Sequence, residues 1–229
     1  MNILSGMARV LKEALPLLIQ GMLTTVQITI VSLAIAVFIG LFTCLAGMSS
    51  VRPLALLAKG YIGLIRGTPL LVQTFFVYFG IPQLIQSFGL DFRLSAYSAG
   101  VVALCLNAGA YIAEIFRGGI QAVDPGQMEA ARSLGLSKGR AMLKVILPQA
   151  LRISIPSLVN QTIITLKDTS IISVISLADI VYQAKIYIGR TMESFATWTV
   201  VGIFYLIFVS ILTFISNHIE RKMDYGKKS

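Results

Sequence analysis

From Ala14 to Val51 the chain carries no charged side chain. Crossing a hydrocarbon core of ~30 Å takes about 20 apolar residues, so this run is longer than one membrane span needs. It has room to tilt or to begin with an interfacial turn. The composition agrees: 56% of residues are hydrophobic, 13% are charged and the mean hydropathy is +0.81. A soluble domain carries about 25% charged residues. An ordinary soluble domain and a disordered chain are both excluded. The net charge of +9 therefore reads as basic loops beside a membrane, not as a nucleic-acid surface. Cys44 and Cys105 lie inside apolar runs and read as buried thiols. One histidine, His218, leaves no metal cluster to build and reads as an interfacial anchor.

Four more uncharged or nearly uncharged runs follow. The expected spans are 18–47, 68–86, 94–113, 155–178 and 196–216, with a long connection over 114–152. The fourth is polar and imperfect, because it holds Pro156, Lys167 and Asp168. Residues 1–229 are expected to form one all-α transmembrane domain, with no internal repeat and no room for a soluble domain. The first apolar run far exceeds the hydrophobic stretch of a signal peptide, and no A-x-A site closes it, so it reads as a retained span. Five spans place the termini on opposite sides. One face collects Arg52, Lys59, Arg66, Arg117, Arg132, Lys138, Arg140, Lys144, Arg152, Arg221, Lys222, Lys227 and Lys228. The other has Arg9, Lys12, Arg93, Lys185 and Arg190. The bias of basic residues toward the cytoplasm predicts an external N-terminus and a cytoplasmic C-terminus.

The connection over 114–152 reads as two short helices. Asp124 is a good N-cap, Pro125 suits the first helical position and Gln127 completes a capping-box pattern. The first helix runs through Leu134 and stops at Gly135. Ser137 caps a second helix, expected to end before Pro148. About ten residues make a helix that is marginal alone in water, so the first must pack on something. Met128, Ala131 and Leu134 share one face. That face fits either the chain's own bundle or a docking partner.

Here the sequence resembles a known family. Glu129-Ala130-Ala131, then Gly135, then Val145-Ile146-Leu147-Pro148 is similar to the EAA motif of permease subunits of bacterial ABC importers. Val145 stands where the pattern prefers Ile. Arg66 through Gln73, Asn107 through Gln127, and Leu166 through Ser170 resemble segments of the polar amino acid permeases. The resemblance covers about residues 17–220. It implies a MetI-like fold of five transmembrane helices with a cytoplasmic coupling helix that docks into an ATPase subunit. It assigns coupling to Asp124, Glu129, Ala130, Ala131, Gly135, Leu147 and Pro148. It also implies a cytoplasmic ABC ATPase dimer, a second permease copy (the same chain or another) and an extracytoplasmic amino acid binding protein. The chain would sit in the bacterial cytoplasmic (inner) membrane. The cargo would be a polar L-amino acid such as glutamine, cystine or arginine. The chain has no G-x-x-x-x-G-K-[ST] phosphate loop, so ATP and Mg would be used by the partner, and the chain itself is not expected to be an enzyme or to bind a cofactor.

Ionisable groups in a span are costly and mark a cavity or a partner. Gln161, Thr165 and Asp168 lie at i, i+4 and i+7, with Asn160 and Lys167 beside them. Asn107, Tyr111 and Glu114 form a second stripe on span three. Interhelical hydrogen bonding accounts for part of this polarity. Asp168, flanked by Thr169 and Ser170, suits an α-ammonium held by charge and hydrogen bonds. The expected substrate path is Asp168, Thr169, Ser170, Lys167, Gln161 and Asn107. The competing reading is a self-sufficient ion-coupled carrier or channel, which the capped cytoplasmic helix disfavours. A membrane enzyme finds no Ser/His pair or H-E-x-x-H motif.

Overall fold

A computed structural model describes the backbone of residues 3–225 and the side chains of residues 6–218. The tail lysines Lys227 and Lys228 lie outside the described residues. Helix α1 (Ile3–Glu13) precedes the long α2 (Leu15–Gly47), which starts with Pro16 in its first turn. Next come α3 (Arg52–Arg66), α4 (Leu70–Phe75), α5 (Ile81–Ser87) and α6 (Ala96–Gln121). The chain continues through α7 (Pro125–Ser133), α8 (Lys138–Ala141), α9 (Leu147–Ile172), α10 (Ile180–Thr191) and α11 (Ser194–Tyr225). Among the described residues, five stretches are long and apolar enough to cross a membrane: Leu15–Gly47, Leu70–Ser87, Ala96–Gln121, Lys138–Ile175 and Ser194–His218. Helices suit hydrocarbon because each satisfies its own backbone hydrogen bonds.

Two of these stretches contain a π-helical turn, Phe76–Gly80 and Met142–Ile146. Each precedes a proline, Pro82 or Pro148. Proline has no N–H to give the carbonyl four residues back, so the local ladder must rearrange. Beside the second turn, Gln149 Nε2 donates to the Val145 carbonyl at 2.9 Å.

The structure corrects several sequence expectations. The 52–66 loop is a helix, α3, whose buried residue is Ala58. Span three does not stop at Glu114 but continues to Gln121, because Arg117 neutralises Glu114 one turn on. Ser137 does cap a helix, its Oγ accepting from Arg140 N, yet that helix does not end before Pro148. It runs on through the π turn into α9, with Pro148 in the first turn, where its ring is tolerated. The apolar end of span four stops at a left-handed Ser176 (φ 65°), and α10 fills what was expected to be a plain connection.

The core is built by close helix contact. A Cβ at Gly40 of α2 would lie 2.5 Å from Ile112 Cγ2 of α6, and one at Gly109 of α6 would lie 2.8 Å from Ile39 Cγ2. A Cβ at Gly119 would lie 2.7 Å from the Ala150 carbonyl of α9. Small residues at such crossings let membrane helices approach and gain dispersion contacts. The outer face of α11, with Leu206, Ile211 and Phe214, is exposed and apolar, as a lipid-facing surface requires. At the end of the bundle opposite α7, Arg9 pairs with the buried Glu193 at 3.2 Å and Tyr187 Oη donates to Glu13 at 3.2 Å, tying α1 down.

Candidate functional site

Two adjoining cavities run along the facing surfaces of α6 and α9. The first, about 540 Å³, is lined by Arg66, Tyr111, Glu114, Ser157, Asn160 and Gln161, among others. The second, about 380 Å³, is lined by Thr68, Pro69, Leu70, Asn107, Tyr111, Gln161, Ile164 and Asp168. Tyr111, Gln161 and Ile164 belong to both, so the two form one groove. Helical periodicity explains the lining: positions at i, i+4 and i+7 share a face, so Asn107, Tyr111 and Glu114 of one stripe and Gln161 and Asp168 of the other line this groove, while Thr165 between them is buried.

Asp168 is the one charged side chain lining the second cavity, and two amides stand with it. Gln161 Nε2 lies 3.3 Å from Thr165 Oγ1. Asn107 Nδ2 donates to Gln73 Oε1 at 3.0 Å, and Gln73 Nε2 in turn donates to the Ile65 and Thr68 carbonyls at 2.7 and 3.0 Å. Gln73 thus holds the α3–α4 corner against α6. Nothing in the sequence singled it out, because its partners lie across a turn and on another helix.

The two hydroxyls expected beside Asp168 are turned away from it. Thr169 is buried and its Oγ1 donates to the Leu166 carbonyl at 2.7 Å; Ser170 Oγ donates to the Lys167 carbonyl at 2.6 Å. Each hydroxyl bonds its own helix, the usual habit of Ser and Thr in spans. Neither lines a cavity, nor does Lys167, which is exposed beside the groove. The aromatic group at Phe75, Phe76, Tyr78 and Phe79 surrounds the first π turn, with a Tyr78–Phe79 edge contact at 4.7 Å, and its phenylalanines face outward.

At the groove's other end Glu114 gathers two arginines. Arg117 NH2 stands 2.6 Å and Arg66 NH1 3.5 Å from Glu114 Oε2, and Arg66 also covers the Tyr111 ring at 5.3 Å. Only the i, i+3 spacing of Glu114 and Arg117 was a sequence signal for this network. Arg66 joins it because α3 is a helix.

Helix α7 lies just beyond. Asp124 Oδ1 accepts from Gly126 N at 2.7 Å. The capping box is not closed: Gln127 Oε1 instead receives Gln149 Nε2 at 3.2 Å, tying α7 to the start of α9. The helix ends in a Schellman arrangement, with Leu136 N on the Ala131 carbonyl and Gly135 N on the Arg132 carbonyl. Gly135 takes φ 84°, which glycine adopts without strain. The apolar face divides. Ala131 (4% exposed) and Met128 pack on the chain's own core, whereas Leu134 is 85% exposed. Glu129 and Ala130 are exposed as well; Leu147 packs on the core and Pro148 is exposed.

The family model for "binding-protein-dependent transport system inner membrane component" matches residues 36–225. The arginine transport system permease protein ArtQ of Bacillus subtilis is 39% identical over 91% of this chain and 93% of its own length. The glutamine transport system permease protein GlnP of Escherichia coli is 40% identical over 92% and 94%. A crystal structure of an amino acid ABC transporter with histidines superposes with a TM-score of 0.87 at 41% identity, over 97% of this chain and 99% of that one. The MetNI methionine ABC transporter shares the fold, with a TM-score of 0.75 at 19% identity. The chain, with its five membrane-length helices, is a MetI-like permease subunit and belongs to the family of binding-protein-dependent transport system inner membrane components.

Proposed function

We propose that this chain forms the translocation path of an ATP-driven importer for a polar L-amino acid, with Asp168 receiving the α-ammonium. The observation that carries the reading is the groove: Asp168 stands with the amides of Asn107 and Gln161 in the second cavity, which adjoins the first toward Glu114. A carboxylate with neutral amides suits a zwitterion, whose ammonium it binds by charge-assisted hydrogen bonds. The relatives named for arginine and glutamine transport and the amino acid transporter structure support the same class of cargo. A second permease copy covers the open side of the groove. Asp124, Glu129, Ala130, Ala131, Gly135, Leu147 and Pro148 present α7 to a cytoplasmic ATPase dimer, which uses ATP and Mg; the permease itself does no chemistry. An extracytoplasmic binding protein delivers the cargo at the α10 end. This places the N-terminus outside and the C-terminus in the cytoplasm, in line with the clustering of basic residues around α3, α7 and α8.

The test is ligand-stimulated ATPase activity of the reconstituted complex against a panel of amino acids, with uptake measured in parallel. One or a few polar amino acids should stimulate both. Asp168→Asn should weaken uptake per assembled complex by about 10- to 150-fold, the equivalent of ~1.5–3 kcal/mol for a hydrogen bond to a charged group. Normal uptake per complex in that variant eliminates the ammonium contact.

A further inference from the structure

We infer that Arg66 is a second binding residue of the groove and receives the carboxylate of the cargo, while Asp168 receives its ammonium. The inference rests on the transport reading above and adds the other half of the zwitterion. It starts from an imbalance of charge. Glu114 is already matched by Arg117: Nε donates to Oε1 at 3.0 Å and Nη2 to Oε2 at 2.6 Å, a two-point fork, while Nη1 donates to Gln121 Oε1 at 3.0 Å. Arg66 comes to the same carboxylate as a second cation. Its Nη1 stands 3.5 Å from Glu114 Oε2, beyond the ~2.7–2.9 Å of a charge-assisted hydrogen bond. Among the described residues the Arg66 guanidinium makes no hydrogen bond; its contacts are this one and the Tyr111 ring at 5.3 Å.

The unspent donors belong to the groove. Arg66 and Glu114 are the charged side chains that line the first cavity, and Asp168 is the one that lines the second. With Arg117 included, two guanidiniums meet one carboxylate at the Glu114 end, which is left positive, and the Asp168 end is negative. Tyr111 lines both cavities and takes the face of the Arg66 guanidinium, a cation–π contact. The edge stays open, and the edge carries the planar fork of N–H donors that matches a carboxylate. Gln161, which also lines both cavities, supplies an amide between the two charges. From Asn107 to Glu114 helix α6 rises about 10 Å. Arg66 is long and exposed, so its head can close part of that distance toward a cargo anchored at Asp168. Its base is fixed: Arg66 is the last residue of α3, and Gln73 holds that corner to Asn107. An amine without a carboxylate would satisfy Asp168 and leave the guanidinium unmatched. The groove therefore discriminates amino acids from amines and amides by the partner it leaves unpaired.

The experiment measures equilibrium binding to the assembled permease–ATPase complex without the binding protein, whose own selectivity would mask the groove's. The probes are L-glutamine and L-arginine, each beside its α-carboxamide, which keeps the size and the ammonium but has no carboxylate. The wild-type complex should bind the acid form of its cargo at least tenfold more tightly than the amide. Arg66→Gln should bring that ratio to within twofold by weakening the acid alone, and Arg66→Lys, which keeps the charge without the fork, should fall between. A purely structural Arg66 would weaken acid and amide together and leave the ratio as it was; that result overturns the inference. So does a wild-type complex that binds both forms alike, or neither. If Arg66→Gln does not assemble, Arg66→Lys decides: a ratio equal to the wild type's is disproof. Uptake in vesicles with the binding protein separates the two levels. No uptake of any amino acid by the wild type is a failure of the transport reading itself, whereas normal wild-type uptake with the ratio untouched in the Arg66 variants is a failure of this inference alone.

Discussion

Helices α7 and α10 are both short, both begin at an aspartate cap and both end on a left-handed residue, yet they sit at opposite ends of the bundle and do opposite things. Asp124 caps α7 in the open, and of that helix only Ala131 is buried. Asp179 caps α10 at zero exposure, and Ile180, Gln183, Ala184 and Tyr187 are buried behind it. A nine-residue helix gains little from its own hydrogen bonds. With only Ala131 and Met128 packed, α7 is held lightly and leaves Glu129, Ala130 and Leu134 exposed. Helix α10 has no such surplus; its inner face packs into a core with α1, α2 and α11. The caps alone do not distinguish a docking element from a structural one. What distinguishes them is how much of each helix its own chain has already used.

The largest contrast is expected from glycines. A Cβ at Gly21 would lie 2.7 Å from Ile180 Cα and 2.8 Å from Ile180 N, so the obstacle is backbone that cannot rotate away. Gly21→Val should unseat α10 at a cost of about 3 kcal/mol or more, beyond ordinary overpacking, and remove most assembled complex from detergent extracts. At Gly135 nothing stands within 4 Å of a Cβ, so Gly135→Ala meets only the left-handed strain of about 1–2 kcal/mol and should still assemble. Equal losses from the two would break the comparison.

The next effect falls on function. Glu129→Lys reverses a charge on the exposed face of α7 and should lower uptake on the order of tenfold or more at normal abundance, since like-charge contact at an interface costs several kcal/mol. Immunoblots for abundance, run beside uptake, separate docking from folding. Normal uptake at normal abundance would remove α7 from the coupling role.

These two ends were not equally legible in the sequence. The cap at Asp124 and the stop at Gly135 are local, written within a dozen residues, and both appear where the spacing put them. The polar stripes through Asn107 and Gln161 were legible for the same reason, as helical periodicity needs no partner. What was missed lay partly in local bonding and partly in distant chain. Thr169 and Ser170 were assigned to the groove from their neighbour Asp168, but a hydroxyl in a helix is satisfied by its own backbone. The run-on of α8 into α9 was hidden because Pro148 reads as a terminator, and only the π turn before it lets the helix continue. Gln73, Arg66 and the buried seat of α10 each depend on contacts between helices far apart in sequence.

A smaller effect follows from the different burial of the two caps. Burial pushes the Asp179 carboxyl up from 3.8 to about 6, against the backbone N–H groups of Tyr182 and Val181 and the charge of Lys185, which act in the other direction; Tyr205 faces it as well. A carboxyl raised in the folded state binds its proton more tightly there than in the unfolded chain. Ionised Asp179 thus costs stability above about pH 6, and the cost fades as pH falls through 6 toward 3.8. The wild-type complex should gain thermal stability between pH 7.5 and 5 relative to Asp179→Asn, by about 1 kcal/mol. Parallel pH profiles for the two proteins would show that Asp179 does not titrate there.

The smallest expected effect concerns the two helix ends. Helix α7 closes on Gly135 at φ 84°, α10 on Met192 at φ 60°. The left-handed region costs a residue with a Cβ about 1–2 kcal/mol and glycine almost nothing. Met192 is 82% exposed, so its side chain contributes little packing to offset that strain. Its N–H still bonds the Ile188 carbonyl at 2.8 Å, closing α10 in the manner of a C-terminal glycine. Met192→Gly keeps that bond and removes the strain, while the freer unfolded chain takes back part of the gain. The net should be a stabilisation of about 0.5–1 kcal/mol, read as a small rise in the melting temperature of the complex. The next residue is Glu193, which pairs with Arg9, so the gain also depends on that corner staying in place. Arg9→Gln separates the two contributions: if Met192→Gly stabilises the wild type but not the Arg9→Gln background, the turn is held by the ion pair rather than by its own backbone. If Met192→Gly destabilises both, the exposed methionine has a packing partner in the assembled complex, and α10, like α7, offers a surface to another chain.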